Sequence, residues 1–396
     1  MSFSEKMMAL GKKRSVIREI FEYSKSRKAE IGAENVFDFS IGNPSVAAPQ
    51  EITDAMVRLL KEQDPVVLHG YTAAQGDPAV RRKLADAINE EFQADVRADL
   101  IYMTCGAAAS LTISLAAIAQ EGDEVIVFAP YFPEYRVFIE KEGAKMKSVL
   151  CKIPDFNLDF DALEEAITEK TKAVIINSPN NPTGVIISEE ELIRLSAVLR
   201  KKSEEYKHPI YLISDEPYRK LVWNGATVPF VTKYYENSIV CYSFSKAVSL
   251  PGERIGYILI SPKMEQAEDV YAAVCGAGRA LGFVCAPSLL QFTVAECVNV
   301  TSDFSVYREN RRLLAEELTR IGYEAAQPDG AFYLFMKALE PDAYAFCQRA
   351  KNYELLLVPS DDFGCGGYVR IAYCVTTEQI KRAIPAFEKL YEDYQK

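Results

Sequence analysis

A lysine and an arginine eight residues apart are the side chains in this sequence with the clearest chemical potential. Lys246 follows Ser243 and Ser245 in a Ser-Phe-Ser-Lys segment, and Arg254 lies in Gly-Glu-Arg-Ile-Gly. An amine held near hydroxyls can form an imine with an aldehyde, and a guanidinium can grip a phosphate. These groups suggest the chemistry of pyridoxal phosphate. Taken alone, the segment also fits an exposed lysine after a strand and an arginine paired with an acid.

Two further segments place polar groups directly after apolar runs. Asn-Pro-Thr-Gly at 181–184 follows the run 172–177, and Asp215 ends the run 210–214 with Tyr218 three residues on. Turns at the carboxyl ends of strands in open α/β sheets are common ligand sites. A plain loop and a helix-capping carboxylate are the alternatives for these segments.

The order and spacing of these segments resemble a known family. Asn-Pro-Thr-Gly, Asp-x-x-Tyr, Ser-x-Ser-Lys and an arginine eight residues later are similar to the fold type I pyridoxal phosphate enzymes, specifically the aspartate-aminotransferase-like class I/II family. The resemblance runs from Phe-Ser-Ile-Gly-Asn-Pro at 39–44 through Tyr-Thr-Ala-Ala-Gln-Gly at 71–76 to Tyr-Val-Arg-Ile-Ala-Tyr at 368–373. It implies pyridoxal 5'-phosphate as the cofactor.

The resemblance also implies a catalytic set of Lys246, Asp215 and Tyr218. Lys246 would hold the aldehyde as an imine and then move a proton between the substrate α-carbon and the cofactor carbon. Asp215 would keep the pyridine nitrogen protonated, so that the ring can accept electrons. Tyr218 and Asn181 would hydrogen-bond the phenolic oxygen of the cofactor.

A phosphate site is the next implication of the resemblance. Backbone amides at a helix start favour a dianion, and many relatives carry hydroxyl or longer polar side chains where this chain has alanines. A small-residue helix packed on a sheet explains the same segment. The implied phosphate groups are Ser243, Ser245, Arg254 and the backbone of Gly106, Ala107 and Ala108.

Two aromatic residues complete the implied cofactor site. Phe132 matches the position whose ring stacks on the pyridine, although an aromatic beside prolines is often only a core residue. Tyr71 matches the tyrosine that reaches the phosphate of a neighbouring subunit. A homodimer with shared active sites is therefore expected.

Substrate binding is assigned to Gly42, Asn181 and Arg370. Arg370 can bind an α-carboxylate through two parallel hydrogen bonds, and Gly42 would let the backbone approach that carboxylate. A second cation for a distal carboxylate has no secure position. Arg279 lies near the region that supplies one in some relatives, but its spacing differs and a structural role is expected.

Composition narrows the classes of partner. The 396 residues are 49% hydrophobic and carry a net charge of −11, which argues against binding to nucleic acid or an anionic membrane. The longest apolar runs are shorter than a transmembrane helix, and no signal peptide is evident, so we expect a cytoplasmic protein. Nine cysteines without a Cys-x-x-Cys pair and only two histidines indicate free thiols and no metal site.

The elements expected to position these residues are buried strands alternating with helices. Near-continuous Val/Ile runs predict strands at 123–128, 172–177, 210–214, 238–242 and 255–260. They indicate an α/β fold with a mostly parallel central sheet flanked by helices, together with a smaller α+β domain. We expect a large domain over 48–290, and a small domain built from 1–47 and 291–396.

The activity expected from the resemblance is a ping-pong aminotransferase reaction. An aspartate- or alanine-type donor and 2-oxoglutarate are the leading substrates. A pyridoxal-phosphate-dependent carbon-sulfur β-lyase is the alternative on the same fold. An effector-binding regulatory protein is the alternative from another class, but the roughly 40 residues before Gly42 are few for a DNA-binding helix-turn-helix.

Overall fold

The computed structural model describes residues 3–12 and 16–396, and the chain divides into two compact units. The large unit comprises Pro44–Phe304 and Pro328–Ala331, and the small unit comprises Met1–Asn43, Ser305–Gln327 and Phe332–Lys396. Residues 1, 2 and 13–15, which fall in the expected small domain, lie outside the described residues. No helix in the described chain has both the length and the apolarity needed to cross a membrane.

The strands follow the predicted apolar runs closely. The bounds of the five central strands lie within one residue of the expected ones. In chain order the strands are β1 (Phe37–Asp38), β2 (Ile101–Thr104), β3 (Glu124–Ala129), β4 (Lys145–Leu150), β5 (Thr171–Asn177), β6 (Tyr211–Asp215), β7 (Ser238–Ser243), β8 (Gly256–Ile260), β9 (Tyr333–Lys337), β10 (Leu355–Leu356), β11 (Val358–Pro359) and β12 (Tyr368–Ala372).

The helices begin at recognisable caps. Asp77 accepts hydrogen bonds from two amides of the following helix, whose first residue is proline, and Ser188 forms a capping box with Glu191. In chain order the helices are α1 (Glu5–Lys12), α2 (Val16–Ile31), α3 (Gln50–Glu62), α4 (Pro65–His69), α5 (Pro78–Phe92), α6 (Ala107–Ile118), α7 (Glu134–Lys141), α8 (Phe160–Ala166), α9 (Glu189–Tyr206), α10 (Phe244–Ala247), α11 (Ala267–Leu281), α12 (Ser288–Glu296), α13 (Ser305–Ile321), α14 (Ala343–Ala350) and α15 (Thr377–Tyr394).

The large unit has a seven-stranded sheet in the order β2-β8-β7-β6-β5-β3-β4. The neighbours from β7 to β4 are parallel, whereas β8 is antiparallel to both β7 and β2. Helices α6 and α11 pack together, and their residues Leu115 and Val274 share a buried cluster with strand residues such as Val127 and Ile213. This arrangement confirms the expected α/β fold.

The small unit contains a three-stranded antiparallel sheet, β11-β12-β9, and a parallel pair, β1-β10. Helices α13 and α15 pack against each other. Asn310 on α13 donates hydrogen bonds to the carbonyls of Tyr373 and Val375. These bonds hold the chain immediately after β12, the strand that carries Arg370.

The unit boundaries lie close to the expected domain boundary near the start of the chain and further from the expected one near residue 290. The chain changes unit after Asn43 and after Phe304, rather than after residues 47 and 290. The reason for the later boundary lies in α12, which packs on α3 and α5 of the large unit. Gln291 on α12 accepts from the amide of Asp77, and Ser288 donates to the carbonyl of Leu68.

Candidate active site

Most of the predicted cofactor residues lie at the end of the large sheet where its parallel strands have their carboxyl ends. Parallel strands β5, β6 and β7 pair so that Asn177 lies opposite Asp215, and Asp215 lies opposite Cys241. Their carboxyl ends therefore lie at the same end of the sheet. Lys246 comes directly after β7, on the short helix α10. Because β8 is antiparallel, its first residue, Gly256, pairs with the last residue of β7 at that same end. The topology brings Asp215, Lys246 and the segment of Arg254 to one end of the sheet.

Asp215 is a fully buried carboxylate with one partnered and one unpartnered oxygen. Its side chain accepts a hydrogen bond from the Tyr135 hydroxyl at Oδ2, 2.6 Å away. Oδ1 is buried and has no hydrogen-bond partner among the described residues. Burial raises the pKa of Asp215 to about 7; the Tyr135 hydrogen bond opposes the rise, and the Glu216 charge adds to it. An unpartnered buried oxygen is costly unless a ligand donates to it.

Asparagine side chains hold the backbone around Asp215. Asn177 Nδ2 donates to the main-chain carbonyl of Asp215 at 2.8 Å, and its Oδ1 accepts from the amide of Asn181 at 2.7 Å. Asn181 and Tyr218 are both buried, and Lys246 is half-buried. The structure thus places Asn181, Asp215 and Tyr218 on adjoining segments.

Ser243, Ser245 and Arg254 form a linked polar group with Gly106. Ser243 Oγ donates to Ser245 Oγ at 2.7 Å, and Arg254 Nη1 donates to Ser245 Oγ at 3.4 Å. Gly106 has a φ of +90°, and a Cβ built there would lie 2.9 Å from Arg254 Nη2. Arg254 itself has a φ of +54°, an unusual conformation for a residue with a side chain. Hydroxyls, a guanidinium and glycine backbone are the donor set that a phosphate needs.

Helix α6 begins directly at this group. Its N-cap is Gly106, which makes no side-chain capping hydrogen bond, and its first residues are the half-buried Ala107 and the exposed Ala108. The first amides of a helix lack partners within the helix and carry its positive dipole end. Alanine side chains leave those amides open to an anion. The backbone can therefore supply hydrogen-bond donors here without polar side chains.

The two predicted aromatic residues have different surroundings. Phe132 follows β3 and is half-buried, with its ring edge-on to Tyr135 at a centroid distance of 5.6 Å. Since Tyr135 binds Asp215, this contact places Phe132 beside the Asp215 network. Tyr71 is 98% exposed, and it lies close in sequence to the exposed Val66 and Val67. Arg279 is exposed in the last turn of α11.

Gly42 and Arg370 come together within the small unit. The Arg370 side chain is buried, with its guanidinium 4.6 Å from the ring centre of Tyr333 and 5.3 Å from that of Phe363. Arg370 Nη2 donates to the carbonyl of Ser40 at 2.6 Å. A Cβ at Gly42 would lie 2.0 Å from the Tyr333 hydroxyl, so only glycine fits at that position.

Asp38 organises the backbone that Arg370 contacts. Its Oδ1 accepts from both the amide and the hydroxyl of Ser40, and its Oδ2 accepts from Ser24 and Lys28 on α2. Although burial opposes it, the pKa of Asp38 is lowered by these serine donors and by Lys28. The loop carrying the Arg370 acceptor is thereby tied to α2.

Sequence reasoning missed important residues in both units. It assigned no role to Tyr135 or Asn177, yet each hydrogen-bonds Asp215 directly. Position offers a signal for both: Asn177 is the last residue of a buried strand, and Tyr135 lies three residues after Phe132. Asp38 lies on the two-residue strand β1, where no periodicity could identify it.

The residues present fit pyridoxal phosphate, the coenzyme implied by the sequence. The unpartnered Oδ1 of Asp215 can accept from a ring N–H, and the polar group of Ser243, Ser245, Arg254 and Gly106 can bind a phosphate. Lys246 follows the two serines on the same segment. Each polar end of the coenzyme therefore has a counterpart at this end of the sheet.

Comparison with known proteins also indicates an aminotransferase. A family model described as aminotransferase class I and II matches residues 34–387. The chain is 29% identical over 388 residues to the aspartate aminotransferase of Thermotoga maritima, covering 94% of this chain and 98% of that protein. It is 31% identical over 352 residues to a probable aspartate/prephenate aminotransferase of Thermus aquaticus, covering 87% and 89% of the two chains.

Solved structures agree with the sequence relatives. An aminotransferase from Eubacterium rectale is 54% identical, with a TM-score of 0.98 and full coverage of both chains. The aspartate aminotransferase of Thermus thermophilus, solved with maleate, is 26% identical with a TM-score of 0.85, covering 98% of this chain and 100% of that one.

Proposed function

Because the chain belongs to the class I and II aminotransferase family, and is therefore a pyridoxal-phosphate-dependent aminotransferase, we propose that it moves an amino group from an L-amino acid of the aspartate or alanine type to a 2-oxo acid such as 2-oxoglutarate. The exchange is proposed to be ping-pong, with donor and acceptor using the site in turn.

One observation supports the chemistry more than any other. Asp215 is buried with an oxygen that has no partner among the described residues, beside the segment that carries Lys246. When bound, pyridoxal phosphate supplies an aldehyde and an electron-accepting ring. A carboxylate at Asp215 favours the protonated form of the ring nitrogen, and a protonated ring accepts electrons best.

The remaining large-unit residues receive the following tasks. Lys246 would hold the aldehyde through Nζ and, once the amino acid has taken its place, would move the proton at the substrate α-carbon. Tyr218 and Asn181 would hydrogen-bond the phenolic oxygen. Phe132 would cover one face of the ring. Ser243, Ser245, Arg254 and the amides of Gly106, Ala107 and Ala108 would hold the phosphate.

Arg370 is proposed to bind the α-carboxylate of the substrate, with the backbone at Gly42 contributing to the same site. The buried guanidinium is fixed by Ser40 and by two aromatic rings, which suits a planar, two-bond contact with a carboxylate. Relatives named as aspartate aminotransferases, one of them solved with the dicarboxylate maleate, favour aspartate as the first donor to test.

A donor and acceptor panel tests this proposal. Purified protein saturated with pyridoxal phosphate is mixed with single amino acids and with 2-oxoglutarate or pyruvate, and the new amino and oxo acids are quantified. Amino transfer from aspartate or alanine is expected, with none from Lys246→Ala, which should remain folded. Pyruvate and ammonia released from β-substituted amino acids without an acceptor would assign β-elimination instead, and normal turnover by Lys246→Ala would remove that lysine from the mechanism.

We also propose a homodimer in which Tyr71 completes the phosphate site of the partner. Its exposure of 98%, close in sequence to two exposed valines, supports a role outside its own subunit. Mixing inactive Tyr71→Ala and Lys246→Ala proteins after mild unfolding tests this directly. Random reassociation gives hybrids with one intact site, so activity should return to about a quarter of wild type. No recovery from mixed dimers would place Tyr71 in its own subunit's site, and full activity of Tyr71→Ala alone would place it in neither.

A further inference from the structure

A buried ion pair lies in the same turn as Asp215 and Tyr218. Glu216 and Arg219 are only 2% and 5% exposed. Arg219 Nε donates to Glu216 Oε2, and Nη2 of the same guanidinium forms an ion pair with that oxygen. Neither residue belongs to the proposed catalytic or cofactor-binding set, although each directly follows a residue that does. Burying a charge pair this completely is costly unless its geometry is well satisfied.

Aromatic rings enclose the guanidinium. Its Cζ lies 4.8 Å from the ring centre of Tyr242, 5.1 Å from that of Phe230 and 5.3 Å from that of Phe92. Its Nη1 donates to the Tyr257 hydroxyl at 3.3 Å. Cation–π attraction of this kind is strongest where water is excluded. The rings come from separate segments, which fix the Arg219 side chain in one orientation.

These contacts join the turn to the strands that carry the cofactor residues. Tyr242 precedes Ser243 at the end of β7, and Tyr257 lies on β8 directly after Gly256. The amide of Glu216 also donates to the carbonyl of Cys241 on β7 at 2.9 Å. Arg219 therefore connects the turn after β6 with β7, the strand that leads to Lys246.

The charges of Glu216 and Arg219 also affect the ionisation of Asp215. Asp215 and Glu216 are adjacent buried carboxylates, and a negative charge at Glu216 disfavours a negative charge at Asp215. Arg219 supplies the opposite charge in direct contact with Glu216. Without Arg219, the turn would hold two buried carboxylates, neither bonded to a cation in the part of the chain that the structure describes.

We infer that Arg219, paired with Glu216, is a positioning residue for this reaction: it fixes the turn that holds Asp215 and Tyr218, and it cancels the charge of Glu216 beside Asp215. The inference rests on the proposed role of Asp215 toward the ring nitrogen. It predicts that the two members of the pair affect the coenzyme site in opposite directions, although both stabilise the fold.

The test measures pyridoxal phosphate affinity of coenzyme-free protein at pH 7, with thermal midpoints recorded for every variant. Arg219→Met should weaken affinity about tenfold for each unit by which the pKa of Asp215 rises. Glu216→Gln should bind as tightly as wild type or tighter, although its midpoint falls. The double variant Glu216→Gln/Arg219→Met removes both charges and should bind more tightly than Arg219→Met, but less tightly than wild type because the turn also loses its ion pair. Arg97→Met, which breaks an exposed arginine pair with Asp99 and Glu268, is the control and should bind normally.

The outcomes separate this inference from the proposed function. Weakened binding by both single variants in proportion to their lost midpoints, or a double variant no better than Arg219→Met, would show a purely structural pair and overturn the inference. Asp215→Asn is measured alongside, and unchanged affinity in that variant would instead refute the role of Asp215. If Arg219→Met does not fold, the comparison of Glu216→Gln with the double variant still decides. The charge effect predicts tighter binding by Glu216→Gln, which keeps the Arg219 cation, than by the double variant, which lacks it, and equal affinities would overturn the inference.

Discussion

Replacing Asp215 with asparagine should stabilise the coenzyme-free protein at neutral and alkaline pH. Burial raises the pKa of Asp215 from 3.8 to about 7, so the native protein retains a proton that the unfolded chain releases. Between those two values the native state binds more protons, and the free energy of unfolding therefore falls as pH rises. Above about pH 7 the loss is complete. A shift of about three pKa units corresponds to about 4 kcal/mol.

The amide introduced by Asp215→Asn cannot ionise, so the variant escapes this loss while keeping an oxygen for the Tyr135 hydroxyl. The difference in unfolding free energy between variant and wild type should be near zero at pH 4, grow through pH 7 and then level at up to about 4 kcal/mol. Urea unfolding of coenzyme-free protein, followed by circular dichroism from pH 4 to 9, measures it. Asp161→Asn, in which the replaced side chain is 84% exposed, is the control and should follow wild type at every pH.

Adding pyridoxal phosphate should reverse the order of stabilities. Binding stabilises the native state in proportion to the logarithm of ligand concentration over dissociation constant, and wild type should bind far more tightly. Parallel pH curves for variant and wild type without coenzyme would refute the reasoning, because they would mean that Asp215 ionises alike in both states. A wild type that gains no more than the variant from the coenzyme would show that the carboxylate does not meet the ring.

Three other substitutions have expected outcomes. Arg370→Lys should raise KM for every amino-acid donor and lower kcat/KM by about tenfold or more, because an ammonium cannot form the two parallel hydrogen bonds of a guanidinium. Steady-state kinetics across the donor panel measure this effect. Unchanged values would mean that another residue binds the carboxylate. Asp38→Asn, which loses its ion pair with Lys28, should lower unfolding free energy by about 1 to 2 kcal/mol at pH 7. Because the native pKa of Asp38 is lowered, that difference should shrink as pH falls below its unfolded value, and a difference independent of pH would contradict the assignment. Gly106→Ala should weaken pyridoxal phosphate binding, whereas Gly122→Ala, at the same φ of +90° but with nothing within 4 Å of the new Cβ, should not; equal losses would indicate backbone strain alone.

The sequence predicted the central strands well because each is buried on both faces. β5, β6 and β7 read as unbroken Val/Ile-rich runs, and such runs identify buried parallel strands directly. The two outermost strands were not predicted. β4 carries Lys145 and Lys147 and is buried at only one of its six residues, as an edge strand often is. β2 is only four residues long, too short for a periodicity to be evident.

The positions of the proposed cofactor residues in the fold could be predicted for a related reason. Motifs such as Ser-Phe-Ser-Lys lie within a few residues of a strand end, so local sequence determines where their side chains emerge. The aromatic residues around Arg219 could not be predicted in this way. They lie at positions 92, 230, 242 and 257, which are far apart in sequence and come together only in the folded protein. Asp38 is similar, since its partners are distributed over α2 and the loop before the large unit.

The charges around Asp215 explain why this turn suits a ring cation better than a neutral ligand. Glu216 and Arg219 cancel one another, which leaves Asp215 as the one carboxylate in that turn without a cation bonded to it in the described chain. A ligand that brings a positive N–H to Oδ1 satisfies both the charge and the missing hydrogen bond, and it lowers the pKa of the carboxyl back toward its usual range. A neutral ligand satisfies the hydrogen bond at most. We therefore propose that the burial of Asp215, which destabilises the coenzyme-free protein at neutral pH, favours binding of a protonated pyridine ring, the form that accepts electrons best.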